Sequence, residues 1–183
     1  MAIKTVFKTI AEDTRRYLFL AAVSGGVILI DQITKAVIQN TMRLHESIPV
    51  IKNFFSLTYI RNPGAAFGLL ADHDGAWRTI FFVVISLAAV VFLLTLYAGL
   101  SRSARFARLA VSLIMGGAVG NLVDRIRYGE VVDFLDFYIG SHHWPAFNAA
   151  DSCITIGVGL LIWHFMREDR KTAPTEPAPS GHA

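Results

Sequence analysis

A chain of 183 residues is short enough for a single domain, and its composition is that of a membrane protein. Hydrophobic residues make up 54% of the chain and charged residues 17%, and the mean hydropathy is +0.48. The net charge of +3 is modest, and no basic cluster is interleaved with aromatic residues, which argues against nucleic acid as a partner. The single cysteine excludes an internal disulfide.

The first apolar stretch, residues 17–38, follows a polar leader at 1–16. It is too long for the apolar core of a signal peptide and no small-residue cleavage site follows it, which predicts a retained membrane helix. Three further stretches of sufficient length lie at about 77–100, 106–125 and 149–166. The sequence therefore predicts an all-α membrane protein, a bundle of four transmembrane helices.

These four helices are expected to form one membrane-embedded domain over residues 17–170. Beyond it, residues 171–183 are rich in Pro and Ala and are predicted to be disordered. Ten of the 17 Lys and Arg residues lie in the leader, in the short loop at 101–108 and at 167–171. Because positively charged loops remain in the cytoplasm, both termini are predicted to be cytoplasmic, and the two longer loops periplasmic.

The first of these longer loops, residues 41–75, contains a predicted β element. In FFSLTYI, the residues Phe55, Leu57 and Tyr59 alternate with Ser56, Thr58 and Ile60, which is the period of a half-buried strand. The sequence Asn-Pro-Gly that follows, beginning at Asn62, is typical of a turn. A small periplasmic β element resting near the bilayer surface is therefore expected.

Polar residues concentrate between Gly116 and Asp151, where the third helix ends and the fourth begins. Four aspartates and two asparagines lie there: Asp124, Asp133, Asp136, Asp151, Asn121 and Asn148. Acids near hydrocarbon are costly and often functional. The Gly116–Gly120 pair predicts close helix packing, and its face continues to Asn121 and Asp124. On the fourth helix, Asp151, Thr155 and Gly159 are predicted to form a closely packed face.

Polar residues in this stretch and elsewhere in the chain also have purely structural interpretations. Asp31 and Lys35 are spaced as an ion pair at the wet end of the first helix, although Asp31 could equally be a polar group turned into the bundle. Asn148 is a suitable N-cap, with Asp151 in the favourable third position of its helix. Asn62 suits a turn, and Asp124 and Arg125 suit solvated charges at a helix end. Adjacent His142 and His143 only weakly suggest a metal site, because the remaining ligands of a familiar pattern are missing.

Two neighbouring aspartates can share a proton, so that one acts as an acid while the other acts as a base. Such a pair can activate water and protonate a leaving group, as peptide hydrolysis requires. This argument does not choose a pair from Asp124, Asp133, Asp136 and Asp151.

The choice comes from five motifs that follow one another across the four predicted spans. They are DQITK at 31–35, RNPGAAFG at 61–68, GGAVGNLVDR at 116–125, VVDF at 131–134 and FNAAD at 147–151. With these motifs in this order, the chain resembles the bacterial lipoprotein signal peptidases, or signal peptidase II, which are aspartic proteases of the inner membrane.

The resemblance implies that Asp133 and Asp151 are the catalytic pair, with Asp136 incidental. It implies supporting or substrate-contacting roles for Asp31, Asn62, Asn121, Asp124, Arg125 and Asn148. The implied substrate is a diacylglyceryl-modified prolipoprotein cut on the amino side of its lipidated cysteine, with membrane lipid as a further partner. No metal or cofactor is implied, and we expect a monomer.

Asp151 lies near a helix N-terminus and should ionise first, so Asp133 is expected to carry the shared proton. Two other interpretations remain open. The acids could form a polar pocket in a non-catalytic carrier or lipid-binding protein, or they could join His142 and His143 in a metal-dependent hydrolase.

Overall fold

The computed structural model describes residues 2–64, 75–101 and 103–172. In this part of the chain the elements in order are α1 (Ala2–Thr41), β1 (Ser47–Ile51), β2 (Phe55–Asn62), α2 (Gly75–Gly99), α3 (Arg105–Tyr128), β3 (Val131–Ile139), β4 (His142–His143) and α4 (Ala149–Thr172). Most of the tail predicted to be disordered, residues 173–183, lies outside the described residues, as do the last four residues of the RNPGAAFG motif.

Each of the four helices contains a segment long and apolar enough to cross a membrane. These segments are Asp13–Thr41, Ala76–Gly99, Arg105–Tyr128 and Ala149–Glu168. Many of their large apolar side chains point outward, including Leu18, Val91 and Phe92, each more than 60% exposed. Outward apolar residues on long helices suit a lipid environment. The prediction of a four-helix membrane protein with a small β element is therefore confirmed.

Helix α3 is the central helix of the bundle. A Cβ atom on Gly116 would come within 2.6 Å of the Val27 side chain on α1, and one on Gly117 within 2.4 Å of the Ala150 carbonyl on α4. Both helices therefore approach α3 more closely than any side chain would permit. The close packing predicted from the glycine spacing is present, and it brings the polar ends of α1, α3 and α4 together.

The predicted packing face of α4 is wrong. Thr155 and Gly159 are exposed, and a Cβ atom on Gly159 would meet no atom within 4 Å. The glycine that packs is Gly157, whose added Cβ would lie 2.7 Å from the Ala110 carbonyl of α3. Ala150 and Gly157 are two turns apart on the same side of α4. The face by which α4 packs against α3 therefore consists of small residues, and it is not the predicted series that begins at Asp151.

The four strands form one antiparallel sheet in the order β1–β2–β3–β4. The predicted element at 41–75 supplies only β1 and β2, and β2 pairs with β3, the strand that carries Asp133. Its registers place Ile60 opposite Asp133 and Ser56 opposite Asp136. The sheet packs on the end of α1, where Tyr59, Val132 and Phe134 meet Ile38 and Met42. The β element is thus joined to the Asp-rich segment.

Candidate active site

Asp133 and Asp151 lie at the end of the bundle covered by the sheet, and Asn148 links them. The backbone N–H of Asp151 donates to Asn148 Oδ1 at 2.9 Å, and the N–H of Asn148 donates to Asp151 Oδ2 at 3.2 Å. This reciprocal pair is a capping box, which satisfies free N–H groups at the start of α4. Asn148 Nδ2 meanwhile donates to Asp133 Oδ1 at 2.8 Å. The predicted N-cap therefore also contacts the second carboxylate.

Asp133 is almost completely buried, with 2% of its surface exposed. Its other carboxylate oxygen accepts a hydrogen bond from Asn62 Nδ2 at 2.8 Å. Burial raises the pKa of Asp133 to about 7, and the charge of Asp151 adds to this effect, while the hydrogen bonds from Asn62 and Asn148 oppose it. Because the pKa is about 7, Asp133 can hold a proton near neutral pH.

Asp151 is half-buried, in contrast to Asp133. Its Oδ1 accepts a hydrogen bond from Asn121 Nδ2 at 2.8 Å. All its hydrogen-bond partners in the described structure are N–H donors. The partial exposure of Asp151 leaves room for a reacting group on its open side.

A second pair of carboxylates lies directly behind these two. Lys35 Nζ is 2.8 Å from Asp31 Oδ2 and 2.8 Å from Asp124 Oδ2, and it donates to Asn121 Oδ1 at 2.9 Å. Asp31 is 0% exposed and Lys35 only 2%. The interpretation of these two residues as a solvated pair at the wet end of α1 is therefore wrong, because the pair faces the interior of the bundle.

This second pair also fixes the backbone of the neighbouring elements. Asp31 Oδ1 accepts the N–H of Ala150 at 3.0 Å, in the first turn of α4. Asp124 Oδ2 accepts the N–H of Val132 at 3.1 Å, in the strand that carries Asp133. Gln32 Nε2 donates to Asp124 Oδ1 at 2.9 Å. Asp31 and Asp124 thus hold the elements bearing Asp151 and Asp133, and Asp124 is not a solvated end charge.

Sequence reasoning assigned no site role to Gln32 or Lys35. For Lys35 the available signal was its i, i+4 spacing from Asp31, because residues four apart are neighbours on a helix surface. Only the packing of α1 against α3 shows that both side chains meet Asp124.

The remaining predicted residues line the outer side of the pair. Asn62 Oδ1 accepts the N–H of Gly64 at 2.9 Å, so the turn interpretation of Asn62 is correct while its Nδ2 contacts Asp133. Arg125 is half-buried, with its guanidinium carbon 5.4 Å from the centre of the Phe82 ring. A cation in this position can contact an acyl oxygen or a phosphate near the carboxylates.

Asp136 lies away from the pair. It is buried, accepts a hydrogen bond from the Thr58 hydroxyl at 3.3 Å, and lies 2.9 Å from His143 Nδ1. Tyr138 stacks on the His143 ring with centroids 4.7 Å apart. These contacts tie together β2, β3 and β4. Among the described residues, no group of three or more His, Cys, Asp or Glu side chains is placed to hold a metal ion.

The chain is similar to known proteins over most of its length. The model of the family described as signal peptidase (SPase) II matches residues 23–167. The lipoprotein signal peptidase of Desulforapulum autotrophicum is 50% identical over 152 residues, which cover 83% of this chain and 94% of that protein. The lipoprotein signal peptidase of Geobacter sulfurreducens is 48% identical over 157 residues, or 86% and 96% of the two chains.

Solved structures are similar as well. A bacterial membrane enzyme determined by the in meso method at 2.3 Å resolution superposes with a TM-score of 0.75 and 35% identity, covering 87% of this chain and 94% of that one. A second such structure, at 1.9 Å, gives a TM-score of 0.73. The protein is thus a multi-pass membrane hydrolase of the peptidase class. More narrowly, the chain belongs to the signal peptidase II family.

Proposed function

We propose that this peptidase removes the signal peptide from prolipoproteins, using Asp133 and Asp151 as an aspartic catalytic pair. The observation that carries the proposal is that one carboxylate is buried with a pKa near 7 and the other is half-buried, and Asn148 contacts both. Two acids in unequal environments divide the acid and base roles that amide hydrolysis needs. The names of the relatives supply the substrate class.

In the proposed mechanism, Asp151 accepts a proton from a water molecule as the water oxygen attacks the scissile carbonyl carbon. Protonated Asp133 donates its proton to the carbonyl oxygen, which gives a neutral tetrahedral intermediate. The carbon–nitrogen bond then breaks, and the leaving amine takes the proton that Asp151 received. Asp133 regains its proton from the intermediate hydroxyl as the carboxylic acid product forms. Each carboxyl group ends the cycle in its starting state.

The supporting residues have separate roles in this mechanism. Asn62 and Asn148 orient Asp133, and Asn121 orients Asp151, through the hydrogen bonds described above. Asp31 and Asp124 hold the backbone behind them. Arg125 is the candidate for contact with the substrate, because it lies over Phe82 and interacts electrostatically with Asp151 and Asp133.

The substrate would reach this pair from within the membrane. The pair lies at one end of four membrane-crossing helices, where a membrane-embedded signal peptide would present its final residues. We place this end at the periplasmic face of the bacterial inner membrane, with both termini cytoplasmic, because the basic residues concentrate at the opposite end. We further propose that the enzyme cleaves on the amino side of a diacylglyceryl-modified cysteine, acts as a monomer and needs no metal or cofactor.

The test uses the full-length enzyme in lipid vesicles with a diacylglyceryl-modified prolipoprotein. We expect Asp133→Asn and Asp151→Asn each to lower kcat by about 10²–10⁴-fold, because each removes one proton-transfer group. Asp13→Asn, in the N-terminal part of α1, is the matched control and should retain activity. Full activity in either Asp133→Asn or Asp151→Asn would show that these two residues are not the catalytic pair. Binding of substrate by the wild type without turnover would favour a carrier, and loss on chelation with recovery on adding metal would favour a metallohydrolase.

A further inference from the structure

Lys35 is a buried cation whose hydrogen-bonding capacity is fully used. Its ammonium group has three protons, and its three partners are Asp31, Asp124 and Asn121, at 2.8, 2.8 and 2.9 Å. With 2% of its surface exposed, it has no access to substrate or solvent. A side chain in this position can influence the reaction only through the groups it contacts.

Of these groups, Asn121 leads directly to the catalytic pair. Its Oδ1 faces Lys35, and its Nδ2 donates to Asp151 at 2.8 Å. An ammonium group can only donate and a carboxylate can only accept, so one carboxamide between them has a single favourable orientation. Lys35 and Asp151 therefore select the same orientation of Asn121, and turning the amide over would place like groups together on both sides.

Asn148 extends this chain of contacts to Asp133. Its Nδ2 lies 3.1 Å from Asn121 Oδ1 and 2.8 Å from Asp133 Oδ1. The Asn121 oxygen thus accepts from Lys35 and from Asn148, while both carboxamides donate to a catalytic carboxylate. The position of that oxygen determines where both donated hydrogen bonds point.

We propose that Lys35 is a positioning residue for the catalytic pair, acting by holding the Asn121 oxygen so that Asn121 and Asn148 direct their N–H groups at Asp151 and Asp133. This inference rests on the proposed function. It goes beyond charge compensation, which would require only that a cation stand between Asp31 and Asp124.

The charge of Lys35 should also reach Asp133. Burial is the largest cause of the raised pKa of Asp133, and the positive charge of Lys35 is among the groups that lower it. If Asp133 must be protonated, activity falls as the pH rises through this pKa. Removing the cation should therefore move the basic limb of the pH–activity profile to higher pH. Where a neighbouring acid is removed with the cation, loss of the Asn148 hydrogen bond, which also lowers this pKa, should still move the limb in that direction. A loss of correctly folded enzyme would reduce activity without moving the limb.

The decisive variants keep the charge of the buried cluster constant. Asp31, Asp124 and Lys35 together carry a net charge of −1, and Lys35→Met alone would leave two adjacent uncompensated carboxylates. Asp31→Asn/Lys35→Met and Asp124→Asn/Lys35→Met each restore −1. Lys52→Met, at an exposed lysine in the turn between β1 and β2, is the control for removing a lysine. Folding is measured by thermal unfolding in vesicles and activity across pH.

We expect at least one double variant to unfold near the wild-type temperature, with kcat lowered by about 10- to 100-fold because the carboxylates are displaced, and with KM little changed. Its basic limb should lie at higher pH, and Lys52→Met should match the wild type. Wild-type kcat in a folded double variant would overturn the proposal, as would a lowered kcat with an unmoved limb. Failure of both double variants to fold would also overturn it, because the lysine would then be purely structural.

These outcomes are distinct from failure of the proposed function. If Asp133→Asn and Asp151→Asn are inactive while a folded double variant resembles the wild type, only the role of Lys35 is wrong. If either of those two single variants is fully active, the catalytic pair itself is wrong.

Discussion

Two pairs of aspartates lie side by side in this protein, and they are compensated in opposite ways. Asp31 and Asp124 share the Lys35 ammonium, each at 2.8 Å, and both are at least 99% buried. Asp133 and Asp151 receive hydrogen bonds from carboxamides and backbone N–H groups, and no cation lies within hydrogen-bonding distance of either in the described structure. The first pair is in direct contact with a buried cation, whereas the second receives its hydrogen bonds from carboxamide and backbone N–H groups.

This difference separates two kinds of aspartate environment. Asp31 and Asp124 share the Lys35 ammonium and accept backbone N–H groups of α4 and β3. Carboxamides stabilise a carboxylate less strongly, so the buried Asp133 can bind a proton near pH 7. The Lys35 cation lies behind the proposed catalytic pair and contacts it only through Asn121.

The largest expected effect comes from giving Asp133 a cation of its own. Asn62→Lys would replace a carboxamide at 2.8 Å with an ammonium group, which lowers the pKa of Asp133 and removes the acid near neutral pH. We expect kcat at neutral pH to fall by about 10²–10⁴-fold, with the basic limb of the pH profile moving to lower pH. The measurement is cleavage of lipidated prolipoprotein as a function of pH.

Asn62→Met is the control of similar length. It removes a hydrogen bond that lowers the pKa of Asp133, so its basic limb should move to higher pH. Both variants lose the Asn62 turn contact with Gly64, and that shared defect cannot explain shifts in opposite directions. Equal shifts in the two variants would show that Asp133 is not the group that titrates.

The sequence predicts those parts of the structure that depend on contacts between residues close together in the chain. The four spans follow from runs of apolar residues, and the capping role of Asn148 follows from its spacing to Asp151. Both depend on neighbours within a few residues. The placement of the acids in one polar region also follows, because they cluster at two helix ends.

The contacts that distinguish the two pairs are not local. Lys35 meets Asp124 across 89 positions of the chain, and Asn62 meets Asp133 across 71. Spacing cannot show that β2 pairs with β3 or that α1 turns Asp31 inward. The same limitation explains the wrong packing face on α4, where the choice between Gly157 and Gly159 depends on the surface of α3. The family motifs suggested the pair, and the helix N-terminus beside Asp151 suggested which acid carries the proton, but neither showed which side chains hold the two acids.

A smaller effect should appear in the pH dependence of stability. The pKa of Asp133 rises from 3.8 to about 7 on folding, so the folded protein holds a proton that the unfolded chain releases. The stability from this group is complete below about pH 4 and is lost as the pH rises to about 7. Since one unit corresponds to about 1.4 kcal/mol, the loss is at most about 4 kcal/mol.

Asp133→Asn cannot ionise and should lack this dependence. We expect the thermal unfolding temperature of the wild type to fall between about pH 4 and about pH 7, and that of Asp133→Asn to fall less. Asp124→Asn supplies the contrast, because its partner Lys35 remains and Asp133 still titrates. A parallel decline in the wild type and Asp133→Asn would assign the pH dependence to other groups.

The smallest effect is expected at Asp136, the acid on the sheet. Its partners are the Thr58 hydroxyl at 3.3 Å and His143, whose side chain is 53% exposed. A hydrogen bond to a side chain open to solvent contributes little, so Asp136→Asn should cost about 1 kcal/mol of stability or less and change kcat/KM by less than about threefold. The measurements are thermal unfolding and prolipoprotein cleavage, with His143→Gln as the partner variant.

A loss of kcat in Asp136→Asn as large as that in Asp151→Asn would show that burial and hydrogen bonding alone do not separate the reactive acids from the others. The contrast between cation-bound and carboxamide-bound aspartates would then fail, because Asp136 contacts neither Lys35 nor any carboxamide in the described structure.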